Sequence, residues 1–100
     1  MKFSKRLKKG EAGQCMTIKV LNHLGLHARA AALFVKTASQ FDAEVTIQKG
    51  RRRVNGKSIM GLLTLAAGRG SEITVVTNGR DAVEALGSLR ELVKSKFGEE

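Results

Sequence analysis

The chain has no tryptophan, tyrosine or proline, a single cysteine, and only four phenylalanines in 100 residues. Without large aromatics the core has to be aliphatic, built from Leu, Val, Ile and Ala. One cysteine rules out an internal disulfide, so Cys15 is expected as a reduced thiol in a cytosolic setting, and no metal-ligand spacing surrounds it. The chain also lacks a run of about 20 apolar residues, the length a membrane-spanning helix needs. No apolar stretch of about 7–15 residues follows the basic start, as an export signal would require. Base-stacking aromatics are missing too, since the four phenylalanines fall in the first residues or on helix faces. That argues against a single-strand or RNA-recognition domain.

What is present is an apolar share of 42% and a charged share of 27%, ordinary for one folded domain. The net charge of +9 is unevenly spread. Lys2, Lys5, Arg6, Lys8 and Lys9 occur with no acid among the first nine residues, whereas residues 10–100 carry 13 basic and 9 acidic groups. Residues 1–15 therefore read as a basic, solvated, disordered arm, with weak binding to nucleic acid or an anionic surface as the alternative. The patterned sequence starts at Met16, which is also an alternative translation start, and the domain is expected over 16–100.

"MTIKV" alternates as a strand, with Met16, Ile18 and Val20 inward. Leu33, Phe34, Thr37, Ala38 and Phe41 recur at helical spacing and predict an amphipathic helix over 28–40. "AEVTIQK" alternates again through Ala43, Val45 and Ile47; Gly50 allows a tight turn, and "RRRVN" returns as its hairpin partner. "KSIMGLLTL" predicts a short helix capped by Ser58, closed off by Gly68 and Gly70. "EITVVT" is a fourth strand with Ile73 and Val75 inward. Asn78-Gly79 then turns into a last helix near 80–96 lined by Val83, Leu86, Leu89, Val93 and Phe97. The order β-α-β-β-α-β-α, with one apolar face per strand, predicts an α+β fold. Its antiparallel sheet is wet on one side and covered by helices on the other.

"LGLHARAAALFVKTA" places His27 at the start of the first helix. There the unpaired N–H groups of Ala28, Arg29 and Ala30 and the positive end of the helix dipole form an anion site. Arg29 adds a permanently charged planar donor, and Gly25 lets the preceding loop approach closely. A neutral imidazole is nucleophilic at pH 7 and can form a labile phosphohistidine. The alternative is a capping or solvated histidine. His23 and His27 are separated by Gly25 in a loop, off any common helix face, and no carboxylate cluster joins them, so a metal site is not expected.

"GLHARAAALFVKTASQFDAEV" followed by "VNGKSIMGLLTLAAGRGSEITV" resembles HPr, the histidine-containing phosphocarrier family of the bacterial sugar phosphotransferase system, over about residues 16–97. The resemblance implies an open-faced sandwich, a four-stranded antiparallel sheet covered on one face by three helices. It implies a monomeric, cytoplasmic carrier without cofactor or metal, and not an enzyme in the usual sense. His27 would accept a phosphoryl group from enzyme I, charged by phosphoenolpyruvate, and pass it to the A domain of a sugar-specific enzyme II. Arg29 and the amides of Ala28 and Arg29 would steady the phosphate. Ser58 matches the serine modified by HPr kinase/phosphorylase, although a serine there is also simply a good cap. Ile59, Met60 and Leu63 match the partner-docking patch, with core packing as their alternative. The family's proline after the arginine is Ala30 here, and the basic arm is unusual for the family. A carrier in a nitrogen-related or regulatory chain without sugar transport is the near alternative. A small nucleic-acid-binding domain and a histidine hydrolase are distant ones, the latter lacking any nucleophile–base pair.

Overall fold

A computed structural model describes residues 13–99. The elements run β1 (Gly13–Lys19), α1 (Ala28–Ala38), β2 (Glu44–Lys49), β3 (Arg52–Asn55), α2 (Ile59–Leu63), β4 (Glu72–Asn78) and α3 (Ala82–Lys94), followed by a 3-10 turn at Lys96–Gly98. The strands form one antiparallel sheet in the order β1-β4-β2-β3. The α+β fold expected from the alternating strands is therefore the fold observed.

Period-two patterning does the sorting. Val45 and Ile47 of β2 and Ile73, Val75 and Thr77 of β4 point to one face and are buried. Cys15, Thr17, Lys19, Glu44 and Glu72 alternate onto the other face and are exposed. There the Thr17 and Thr74 hydroxyls, paired across β1 and β4, lie 3.0 Å apart. The buried face meets Ala30, Ala31, Phe34 and Ala38 of α1, Leu62 of α2, and Leu89 and Val93 of α3 in the main, largely aliphatic core, while Ala43, Ala82 and Ala85 pack separately with Phe41. Phe34 is the large aromatic at the centre of the main core, fully buried.

Three elements differ from the periodicity reading. β1 begins at Gly13, inside the stretch assigned to the arm, because Gly13, Gln14 and Cys15 continue the ladder opposite Asn78, Thr77 and Val76. Backbone pairing extends the strand where apolar alternation has already stopped. The expectation for residues 1–12 lies outside the described residues. α1 ends at Ala38 rather than near 40, with Ser39 as its C-cap. In α3 the inward stripe is Ala82, Ala85, Leu89 and Val93, while Val83 is 62% exposed. Val83 sits about 100° around the helix from Ala82, so the smaller residue takes the inward place. Phe97 is buried as expected, but beyond the helix, in the turn that follows it.

Asp81 joins α3 to the loop before β2. Its carboxylate accepts the Asp42 N–H at 2.9 Å and the Ala43 N–H at 2.8 Å. The Asp42 N–H bond is the main cause of a pKa held below the usual carboxylate range, with Arg80 adding to it. A depressed folded-state pKa contributes stability that is present above the unfolded value and lost as pH falls through the folded one. Asp81→Asn is therefore less stable than the parent chain at neutral pH, and urea midpoints should show the gap closing below about pH 4. A gap of constant size across that range would mean that charge plays no part.

Candidate functional site

The loop between β1 and α1 is held from both sides. Leu26 N–H donates to Ala67 O at 2.9 Å, which ties the loop to the chain leaving α2. Gly25 has φ +68°, and a Cβ there would lie 2.6 Å from Ala67 O and 2.7 Å from Gly68 Cα. Only glycine fits that position, for conformation and space alike. His27 follows as the N-cap of α1, extended at φ −79° and ψ −177°, and its side chain makes no capping bond to the helix. Its carbonyl accepts the first helical bond, from Ala31 N–H at 2.8 Å.

The imidazole is free of capping and therefore free to face outward, with its side chain 26% exposed. Ala28 and Arg29 are exposed, and in the first turn their N–H groups have no helical acceptor. Ala30, the third amide of that turn, belongs to a fully buried residue. Together these groups make a half-open, positively biased surface where an anion can approach the ring.

Glu99 completes the site from the far end of the chain. Its Oε2 lies 2.6 Å from His27 Nε2, and its Oε1 accepts from Asn22 Nδ2 at 3.0 Å. Asn22 is fully buried, and the same Nδ2 also donates to Gly25 O at 2.8 Å. Both neighbours of Nδ2 are acceptors, which fixes the amide's orientation. The Asn22 bond, then the His27 contact and the nearby Arg29 charge, hold the Glu99 carboxyl below its ordinary range against the opposing effect of burial. At neutral pH it is an anion. Neither Asn22 nor Glu99 was expected from the sequence. Asn22 carries a weak signal, a lone amide in the apolar stretch "VLNHL", but Glu99 has no local signal at all.

The other expected residues fall as follows. Ser58 caps α2, its Oγ accepting from Gly61 N–H at 3.0 Å. Ile59, Met60 and Leu63 are exposed, whereas Leu62 turns inward and is fully buried. Leu21 and Leu24, in the loop just before His27, are exposed as well and were not expected. His23 sits apart, its Nδ1 3.3 Å from Arg69 Nη1. Among the described residues no group of three His, Cys, Asp or Glu side chains is placed to hold a metal ion. No helix among them is long and apolar enough to cross a membrane.

A one-sided antiparallel sandwich with a part-exposed, uncapping histidine at the N-cap position of its first helix is the open-faced arrangement of a phosphocarrier, and comparison with known proteins agrees. The family model described as "PTS HPr component phosphorylation site" matches residues 15–95. The chain is 52% identical over 83 residues to phosphocarrier protein HPr of Neisseria meningitidis, covering 83% of this chain and 93% of that one. It is 45% identical over 82 residues to phosphocarrier protein NPr of Shewanella violacea, covering 82% and 90%. The crystal structure of HPr-C-His from Thermoanaerobacter tengcongensis superposes with a TM-score of 0.85 at 45% identity, covering 87% and 98%. The chain belongs to the HPr phosphocarrier family.

The Ser58 cap is directly testable. Ser58→Ala removes the acceptor of the Gly61 N–H and should lower stability by about 1 kcal/mol, whereas Ser58→Asp keeps an acceptor and should lose less. Thermal midpoints of the two variants would check this ordering.

Proposed function

We propose that His27 is the phosphoryl acceptor of a phosphotransferase relay, taking the group from phosphorylated enzyme I and handing it to the A domain of an enzyme II. The observation that carries this reading is the uncapped, part-exposed imidazole at the N-cap of α1. With Nε2 engaged by Glu99, the nitrogen left to attack is Nδ1, the one nearer the backbone. A phosphoryl group on Nδ1 lies toward the first-turn amides, where the N–H groups of Ala28 and Arg29 and the Arg29 guanidinium meet its charge. The resulting P–N bond is labile, and that lability lets a carrier pass its load on.

Ile59, Met60 and Leu63, with Leu21 and Leu24 beside the histidine loop, form the apolar surface that partners cover during transfer. Contacts of this kind suit brief, exchangeable complexes. Ser58 serves as a second modification site for HPr kinase/phosphorylase, where a phosphate adds charge of about −1.5 to −2 beside the docking residues. The carrier works as a cytoplasmic monomer, without cofactor. Service in a nitrogen-related or regulatory chain is the second reading, and 45% identity to a phosphocarrier named NPr favours keeping it.

Incubation with phosphoenolpyruvate and enzyme I should add one acid-labile phosphoryl group, seen by mass analysis. It should be absent in His27→Ala and retained in Ser58→Ala; label on His27→Ala would remove the assignment. With ATP and an HPr kinase, one acid-stable phosphate should appear and be lost in Ser58→Ala. An unmodified parent chain would confine Ser58 to capping.

A further inference from the structure

The chain after α3 turns back on itself in a way that helix packing does not require. Lys96, Phe97 and Gly98 all have positive φ, at 60°, 56° and 75°. Gly98 N–H bonds to Ser95 O at 3.0 Å and Glu99 N–H to Lys96 O at 2.8 Å, which locks the reversal. Burial of Phe97 explains the turn as far as residue 97. It does not explain why Glu99, two residues further, turns its carboxylate in toward His27 and Asn22. Left-handed backbone at residues other than glycine is strained, and such strain gathers where geometry serves function.

We propose that Glu99 is a positioning residue for phosphoryl transfer: held by Asn22, its carboxylate keeps the His27 ring as the Nε2–H tautomer and balances the positive charge that the ring gains when Nδ1 is phosphorylated. The proposal rests on His27 being the phosphoryl acceptor. In the step itself, the Nδ1 lone pair forms the bond to phosphorus. The bond from phosphorus to the donor atom of phosphorylated enzyme I breaks, and its electron pair leaves with the donor. The proton stays on Nε2 against Glu99, and transfer onward reverses the sequence. A carboxylate that accepts from one ring nitrogen fixes the tautomer, so the other nitrogen keeps its lone pair for attack.

The geometry around the carboxylate supports this division of labour. Glu99 meets the ring at Nε2, away from the nitrogen that reacts, so it does not occupy the phosphoryl position. Asn22 supplies a buried, neutral donor that orients the carboxylate without competing for the ring. The Arg29 charge acts on Glu99 after the closer His27, and Arg29 stands on the helix turn that would also receive the phosphate.

The test compares the full chain with Glu99→Ala and Glu99→Gln. Ring nitrogen NMR of the unphosphorylated proteins, at a pH where His27 is neutral, should show the Nε2–H form dominant in the parent chain. Both tautomers should be populated in Glu99→Ala. The single-turnover rate of phosphoryl acceptance from enzyme I should fall about tenfold in Glu99→Ala, the size of one charge-assisted hydrogen bond. Glu99→Gln should recover part of that loss, because its amide oxygen still accepts from Nε2–H. An unchanged tautomer balance in Glu99→Ala, or an unchanged rate, would overturn the proposal. A faster rate would overturn it as well, by making the tail a shield. If the parent chain takes no phosphoryl group, the functional reading fails and the charge-balancing role falls with it, while the tautomer measurement still decides whether Glu99 positions the ring.

Discussion

The site depends on one close approach, the loop of Gly25 and Leu26 lying against the chain that leaves α2. The Leu26 N–H bond to Ala67 O sets the direction in which the backbone enters α1, and Gly25 is there because any side chain would strike Ala67 and Gly68. From that entry follow the extended conformation of His27, its place as N-cap, and the outward face of its ring. The same contact joins the histidine loop to the surroundings of α2. Helix α2, with Ser58 at its start and exposed Met60 on its surface, ends in the segment on which the histidine loop rests.

Ala66 shows that this contact carries a conformational cost. It is left-handed at φ 50° and is not glycine, which costs about 1–2 kcal/mol. The reversal at Ala66 brings Ala67 O round to meet Leu26 N–H. Lys96 and Phe97 add two more left-handed residues in the turn that carries Glu99 to the ring. Three such residues flank one histidine from two directions, while the remaining positive φ values among the described residues belong to glycines. The buried aliphatic core has to over-determine both turns for them to persist, and it does: Leu65, Ala67 and Phe97 are all anchored in it.

Sequence patterns revealed whatever depends on local period. The alternation in "AEVTIQK" and "EITVVT" marked the inward residues of β2 and β4, and the apolar spacing after Ala30 marked α1. Periodicity failed where small residues compete with large ones. Ala82 and Ala85 took the inward stripe of α3 from Val83, packing with Ala43 and Phe41 beside the main core. At the site, the place of His27 and Arg29 at a helix start was legible from the onset of apolar periodicity, while the role expected of them came from the family resemblance. Glu99 was not, since 72 positions separate it from the histidine it touches and its approach is set by the left-handed reversal after α3, which no periodic pattern announces. Asn22 fell between these cases, a buried amide whose purpose appears only with its partners present.

Ala30 is where the chain departs from the family's usual proline, and its surroundings show what the exchange changes. It lies in the first turn of α1, where no helical hydrogen bond uses its N–H, so a proline there would sacrifice none. Its methyl group is fully buried against the core, which fills the place a ring would partly take. The difference lies one residue earlier: proline restricts the residue before it, and alanine does not. Arg29 is helical here, the backbone region that a following proline disfavours, so alanine removes a constraint that would oppose the first turn. The chain is still directed into that turn from the loop behind it, by the N-cap geometry of His27 and the Gly25–Ala67 approach.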